Sequence, residues 1–219
     1  MKHKTCVSIT EKNPNKLNSV LKKALTKSEY AEIRLDFMKP SEIPIALQNV
    51  EKKLSKCVCT LRPKNEGGKF SGSEKERISI LKLISEYNPF LLDIEFNTLR
   101  NNQKLREYVK KSKTPILVSW HDFKKTPNMK NLNSKLKSMK KLSDFVKIVT
   151  VAKSINDTSR VLSLYNKSSK IKLIAFAMGE QASFSRILCL YLGSPFTYVS
   201  LGKAIAPGQF SLNEMKTFV

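Results

Sequence analysis

The sequence predicts an α/β fold: a closed (β/α)8 (TIM) barrel forming a single catalytic domain over residues 1–219. Three observations carry this. Short β-rich runs and longer helical stretches alternate eight times, and strict alternation implies parallel strands joined by crossover helices. No Gly/Ser linker interrupts the 219 residues, a length at which such barrels form in one piece. The glycine-rich turn of a dinucleotide site is missing after the first strand, which disfavours the open doubly wound sheet that is the rival architecture.

Taken in order, the first strand is "KTCVSIT", followed by a helix in "NPNKLNSVLKKALTK" that starts on the cap-like Asn13 before Pro14. "AEIRLDF" and "KCVCTLRP" are the next strands, separated by the helical "SEIPIALQNVEKKL". Ser73 opens "SEKERISILKLISEY", a helix leading to the strand "FLLDIEF" and the helix "NNQKLREYVKKS". "PILVSWHDF", "FVKIVTVA", "KLIAFAM" and "FTYVSLG" complete the strands. Their helices lie in "MKNLNSKLKSMKKL", "INDTSRVLSLYNK" and "SFSRILCLYLG", and the tail "SLNEMKTFV" reads as a short last helix.

Composition bounds the function. Forty Lys+Arg against 18 Asp+Glu give a net charge of +22, enough to attract acidic partners, nucleic acid or anionic metabolites. The lysines are scattered over polar faces and helix ends, however, as in "LKKALTKSE" and "LKSMKK". A nucleic-acid surface calls for clustered cations interleaved with exposed aromatics, and here the aromatics sit in core-like runs. Cys6, Cys57, Cys59 and Cys189 lack C-x-x-C spacing, and only Cys6 lies near either histidine (His3, with His121 far off), so buried free thiols are expected rather than zinc. No apolar run reaches membrane-spanning length, and the basic N-terminus is not followed by a signal-type apolar region. The expected compartment is a reducing cytoplasm.

The strands carry charges where a barrel strand, covered on both faces, should be apolar. Side chains two apart share a face, which groups Glu32, Arg34 and Asp36, then Thr60 and Arg62, Asp93 and Glu95, and Ser119 and His121. Most stand toward the C-terminal ends of their strands, where barrel enzymes assemble their sites. Lys147 interrupts the apolar "FVKIV". Dehydration of a lysine inside a strand favours the neutral amine, which attacks carbonyls to form a Schiff base. His121, one strand earlier, is suited to proton transfer near neutrality.

With these residues in view, the chain resembles type I 3-dehydroquinate dehydratase. "EIRLD", "RPKNEGG", "LLDIEF", "SWHD", "FVKI", "FAMGEQASFSR" and "APGQ" occur in that family's order between residues 32 and 209. The resemblance implies an imine between Lys147 and the ketone of 3-dehydroquinate, with His121 as general acid/base and Glu66 orienting and tuning it. It also implies that Glu32, Arg34 and Arg62 hold the substrate hydroxyls. Arg186 would clamp the carboxylate, Gln209 would close over the substrate, and Met178 and Tyr198 would form the pocket wall, although either could be plain core. Lysine supplies the electron sink, so no cofactor or metal is implied. The family is commonly homodimeric and belongs to aromatic amino-acid biosynthesis. One departure is Ile205, where the family often has Ser or Thr before "APGQ"; weaker substrate holding with intact chemistry is expected. Tyr198, where phenylalanine is common, is a milder change. Lys147 alone would also permit a class I aldolase.

Overall fold

The structure, a computed structural model, describes residues 3–219. Its eight strands are β1 (Thr5–Ile9), β2 (Tyr30–Arg34), β3 (Cys57–Thr60), β4 (Leu91–Glu95), β5 (Ile116–Asp122), β6 (Phe145–Val151), β7 (Lys172–Met178) and β8 (Thr197–Ser200). They form one sheet in the order β7-β6-β5-β4-β3-β2-β1-β8. This is the topology of a (β/α)8 barrel: each strand lies beside its sequence neighbours, and β1 lies beside β8. A doubly wound sheet would instead reverse its strand order at a switch point. The pairs β2–β3, β3–β4 and β6–β7 are parallel.

By its internal packing the chain divides into two compact units, Ser8–Leu117 and Val118–Val219, the latter together with the N-terminal residues up to Val7. The first holds α1 (Pro14–Leu25), α2 (Ile43–Val50), α3 (Glu74–Glu86), α4 (Phe96–Asn101) and α5 (Gln103–Ser112). The second holds α6 (Met129–Met139), α7 (Ile155–Leu162), α8 (Ser185–Tyr191) and α9 (Leu212–Met215). Helical spacing decides which faces are buried: Leu17, Leu21 and Ala24 on α1, Leu105 and Val109 on α5, and Leu132, Leu136 and Met139 on α6. Each fully buried leucine contributes roughly 1.5–3 kcal/mol. Caps fall where the sequence places them, with the Asn13 side chain accepting from the Asn15 amide and Ser73 from the Glu76 amide. All four cysteines are buried and free.

Several boundaries differ from expectation, and β3 and α7 among them stop short, at Thr60 and Leu162. β2 stops at Arg34, and Leu35–Phe37 form a 3-10 turn, so Asp36 leaves the strand alternation. Asp36 is held there by a neighbour and by a distant residue: it accepts from Arg34 Nε and Nη2, each at 2.8 Å, and from the Lys69 amide at 3.0 Å. Phe96 opens α4 instead of ending β4. The helix expected over 41–54 is only α2, with 3-10 turns on both sides. No helix among the described residues is long and apolar enough to cross a membrane.

Candidate active site

In the unit formed by Ser8–Leu117, charges buried at strand ends are matched by partners. Glu32 on β2 is 4 % exposed and accepts from Ser8 Oγ at 2.8 Å and Thr60 Oγ1 at 2.9 Å. Arg62, just after β3, donates through Nη1 to Glu95 and through Nη2 to Asp93, both at 2.6 Å. Burial pulls its pKa down, yet the attraction of Asp93 and Glu95 leaves it above the ordinary arginine value. Asp93 and Glu95 stand two apart on β4 and so share a face, which is why one guanidinium reaches both.

The "NEGG" segment folds back over Arg62. Gly67 takes the left-handed φ of +76°, and a Cβ on Gly68 would stand 1.9 Å from the Arg62 carbonyl oxygen. That close turn buries Glu66, a residue that would otherwise read as a solvent-facing loop glutamate. Burial pushes its carboxyl up to about 7; Arg62 and Arg77 oppose the rise, and Glu95 and Asp93 add to it. A carboxyl poised there exchanges protons near neutrality.

In the other unit, Lys147 is the only lysine buried among the described residues, at 6 % exposure. It is the third residue of β6, between the fully buried Val146 and Ile148, and its Nζ lies 4.0 Å from the centroid of the Tyr198 ring on β8. Tyr198 is itself buried, at 3 % exposure. His121 is half-buried near the end of β5 and stacks on Phe123 with centroids 5.9 Å apart. Its neighbour Trp120 meets Lys135 of α6, so strand alternation turns His121 to the face opposite that helix. Met178 ends β7, 4 % exposed and opposite Val151 in the parallel register.

Arg186 on α8 is 2 % exposed, not the surface residue that its amphipathic helix alone would allow. Its guanidinium stacks over Phe176 at 4.2 Å and donates to the Pro207 carbonyl at 3.3 Å, while Nε has no hydrogen-bond partner among the described residues. Burial lowers its pKa to about 10. Gln209 Oε1 accepts from the Ile205 amide at 2.9 Å and so ties the "APGQ" loop to itself. Gly208 lets that loop approach Gly179: a Cβ there would lie 2.6 Å from the Gly179 carbonyl oxygen.

One unit thus carries a buried lysine, a histidine on the adjacent strand and a buried arginine. The family model for type I 3-dehydroquinase matches residues 5–219. The chain belongs to the type I 3-dehydroquinase family. That places it among the hydro-lyases, with the dehydroquinate dehydratases of the shikimate pathway. It is 37 % identical to 3-dehydroquinate dehydratase of Methanococcus maripaludis over 96 % of both chains. Among solved structures, it superimposes on the Geobacillus kaustophilus 3-dehydroquinate dehydratase with a TM-score of 0.90, covering 100 % of this chain and 90 % of that one at 20 % identity. The Aquifex aeolicus enzyme gives 0.80 at 27 % identity, covering 98 % and 96 %. These type I dehydroquinase neighbours share the barrel fold.

One participant in the charge system gave no signal as a site residue: Arg77 of α3. "EKERIS" reads as a polar helix start, with Glu74 as an ordinary i,i+3 partner. The available clue was position, because Arg77 stands on the same stripe as Leu81 and Ile84, the buried face of α3.

Proposed function

We propose that this chain converts 3-dehydroquinate to 3-dehydroshikimate and water through a Schiff base on Lys147. The observation that carries the reading is the burial of that single lysine inside β6 against an aromatic face. The amine adds to the substrate ketone and expels water as the imine forms. His121 removes the C2 proton, and the electron pair is held as an enamine. The C1 hydroxyl then leaves with the proton returned by His121, and hydrolysis of the imine frees product and lysine.

Arg186 is assigned to the substrate carboxylate, a planar anion that a guanidinium holds bidentately. Glu32, Arg34 and Arg62 are assigned to the hydroxyls, Glu66 to tuning His121, Gln209 to closing the site, and Met178 and Tyr198 to its wall. The matching family motifs support these roles. The reaction calls on no cofactor or metal. The family model's span over residues 5–219 supports reading the chain as a single catalytic domain. A cytoplasmic homodimer is the assembly we assign. Leu188, Tyr191 and Leu192, exposed at i, i+3 and i+4 at the end of α8, support a self-associating face. The scattered lysines support a solvated surface rather than a nucleic-acid site.

Borohydride trapping with 3-dehydroquinate, read by peptide mass mapping, tests the mechanism. The expected result is a reduced adduct on Lys147, with Lys147→Ala losing both the adduct and at least about a thousandfold in turnover. A folded wild-type protein with neither adduct nor turnover would refute the reading.

A further inference from the structure

Arg77 is 1 % exposed and divides its guanidinium between the outside and the inside of its unit. Nε and Nη2 donate to the two oxygens of Glu74, each at 2.8 Å, and Glu74 is 56 % exposed. Nη2 also meets Thr98 Oγ1 at 2.5 Å. Nη1 reaches inward to Glu95 Oε2 at 2.6 Å and to the Leu61 carbonyl at 3.3 Å. The other oxygen of Glu95, Oε1, holds Arg62 Nη1 at 2.6 Å, and Arg62 Nη2 holds Asp93. The charges thus alternate without a break, Glu74–Arg77–Glu95–Arg62–Asp93, from the surface of α3 to Asp93 on β4.

A carboxylate gripped through one oxygen by one guanidinium can still rotate about its terminal bond. Gripped on both oxygens by two rigid forks, it has one orientation, and so does each fork. A surface ion pair with Glu74 would not require Arg77 to be buried. Its inward reach has a cost in desolvation, and Glu95 and the Leu61 carbonyl are what it reaches for.

We propose that Arg77 is a positioning residue for the dehydratase reaction: by holding one oxygen of Glu95 it fixes the other on Arg62, and so aims the guanidinium that grips a substrate hydroxyl. The assignment of Arg62 to substrate rests on the function proposed above; the aiming of Arg62 does not. Arg77 itself touches no reacting atom in this scheme.

The test uses Arg77→Met, Arg77→Lys, Glu95→Gln and the Arg77→Met/Glu95→Gln pair, all as full chains. Steady-state kinetics with 3-dehydroquinate is combined with nitrogen-15 NMR of the Arg62 Nε–H, which reports hindered rotation of its guanidinium. Arg77→Met is expected to raise KM about tenfold, as for loss of a charge-assisted contact, with kcat within about threefold and the Arg62 signal broadened. Arg77→Lys restores charge but not the fork, and recovers part of the KM with intermediate broadening. In the Glu95→Gln background, adding Arg77→Met changes KM less than about twofold, because the connection is already cut. An unchanged KM and an unchanged Arg62 signal in a folded Arg77→Met or Arg77→Lys protein would overturn the proposal. So would an equal KM rise with and without Glu95. Should Arg77→Met not fold, Arg77→Lys decides alone. Absence of turnover in the wild type would sink the dehydratase reading, and the Arg62 signal would still decide whether Arg77 positions it.

Discussion

Arginines buried in the two units of this chain are treated in opposite ways. In Ser8–Leu117, Arg62 and Arg77 lie against carboxylates at 2.6–2.8 Å, in a ladder that satisfies both signs. In the unit containing Val118–Val219, Arg186 is as deeply buried, yet no ion-pair partner stands against it among the described residues, and Nε is unmatched. The electrostatic consequence separates them. Arg62 is held above its ordinary pKa by Asp93 and Glu95 against the pull of burial, whereas burial drags Arg186 down to about 10. A matched guanidinium is anchored in one orientation by its own chain, and only its remaining N–H groups are left for a ligand. An unmatched one keeps binding capacity that its own chain does not consume, at a cost in stability.

Exchanging each arginine for the unbranched, apolar methionine should break that comparison most visibly. Arg62→Met takes away the guanidinium that Asp93 and one oxygen of Glu95 accept from, and the expected loss is on the order of 3–5 kcal/mol in urea unfolding. Arg186→Met removes a charge with no carboxylate to strand, so stability should hold within about 1 kcal/mol or rise. Its cost appears in KM for 3-dehydroquinate, up by tenfold or more on losing a charged pair. Equal destabilisation by the two substitutions would end the distinction.

Glu66 sharpens the electrostatic side. Its carboxyl is raised from 4.5 to about 7, chiefly by burial, with Arg62 and Arg77 opposing and Glu95 and Asp93 reinforcing. The folded protein therefore binds this proton more tightly than the unfolded chain. The contribution is fully present below about pH 4.5 and is lost as pH rises through 7. One pKa unit is worth ~1.4 kcal/mol, so the wild type should lose on the order of 3 kcal/mol relative to Glu66→Gln between pH 4.5 and 8. Unfolding midpoints of the two proteins across that range measure it; parallel curves would refute the shift.

The smallest effect belongs to the "APGQ" loop. Ile205 contributes its amide to Gln209, a bond that any residue there can make. Ile205→Ser keeps that bond and adds a hydroxyl, so KM should fall about threefold, the value of one modest hydrogen bond, with kcat unchanged. A substantial fall in kcat/KM would show that the isoleucine is adapted to this loop.

Much of this was legible in the chain itself because its signals are local. Period-two and helical patterns gave all eight strands and nearly every helix, and Asn13 and Ser73 marked helix starts that their side chains do cap. Lys147 stood out because a charge inside an apolar strand is costly wherever that strand goes. The strand end at Arg34 was not legible, since the Asp36 carboxylate had first to be seen accepting both from Arg34 and from the Lys69 amide. Phe96 was misplaced because an aromatic after an apolar run suits a strand end and a helix start equally well.

The sequence by itself determined the alternating β/α architecture, the location of the charged strand ends and the family. Each depends on residue type and spacing along the chain. Only the tertiary structure decided which charges are consumed: that Glu66 is buried by the turn at Gly67 and Gly68, that Arg77 reaches past Glu74 to Glu95, and that Arg186 is buried with no carboxylate against it among the described residues. Those facts depend on distances of a few ångströms between residues remote in the chain. Coulomb energy and desolvation are set by such distances, and no pattern of residue types records them.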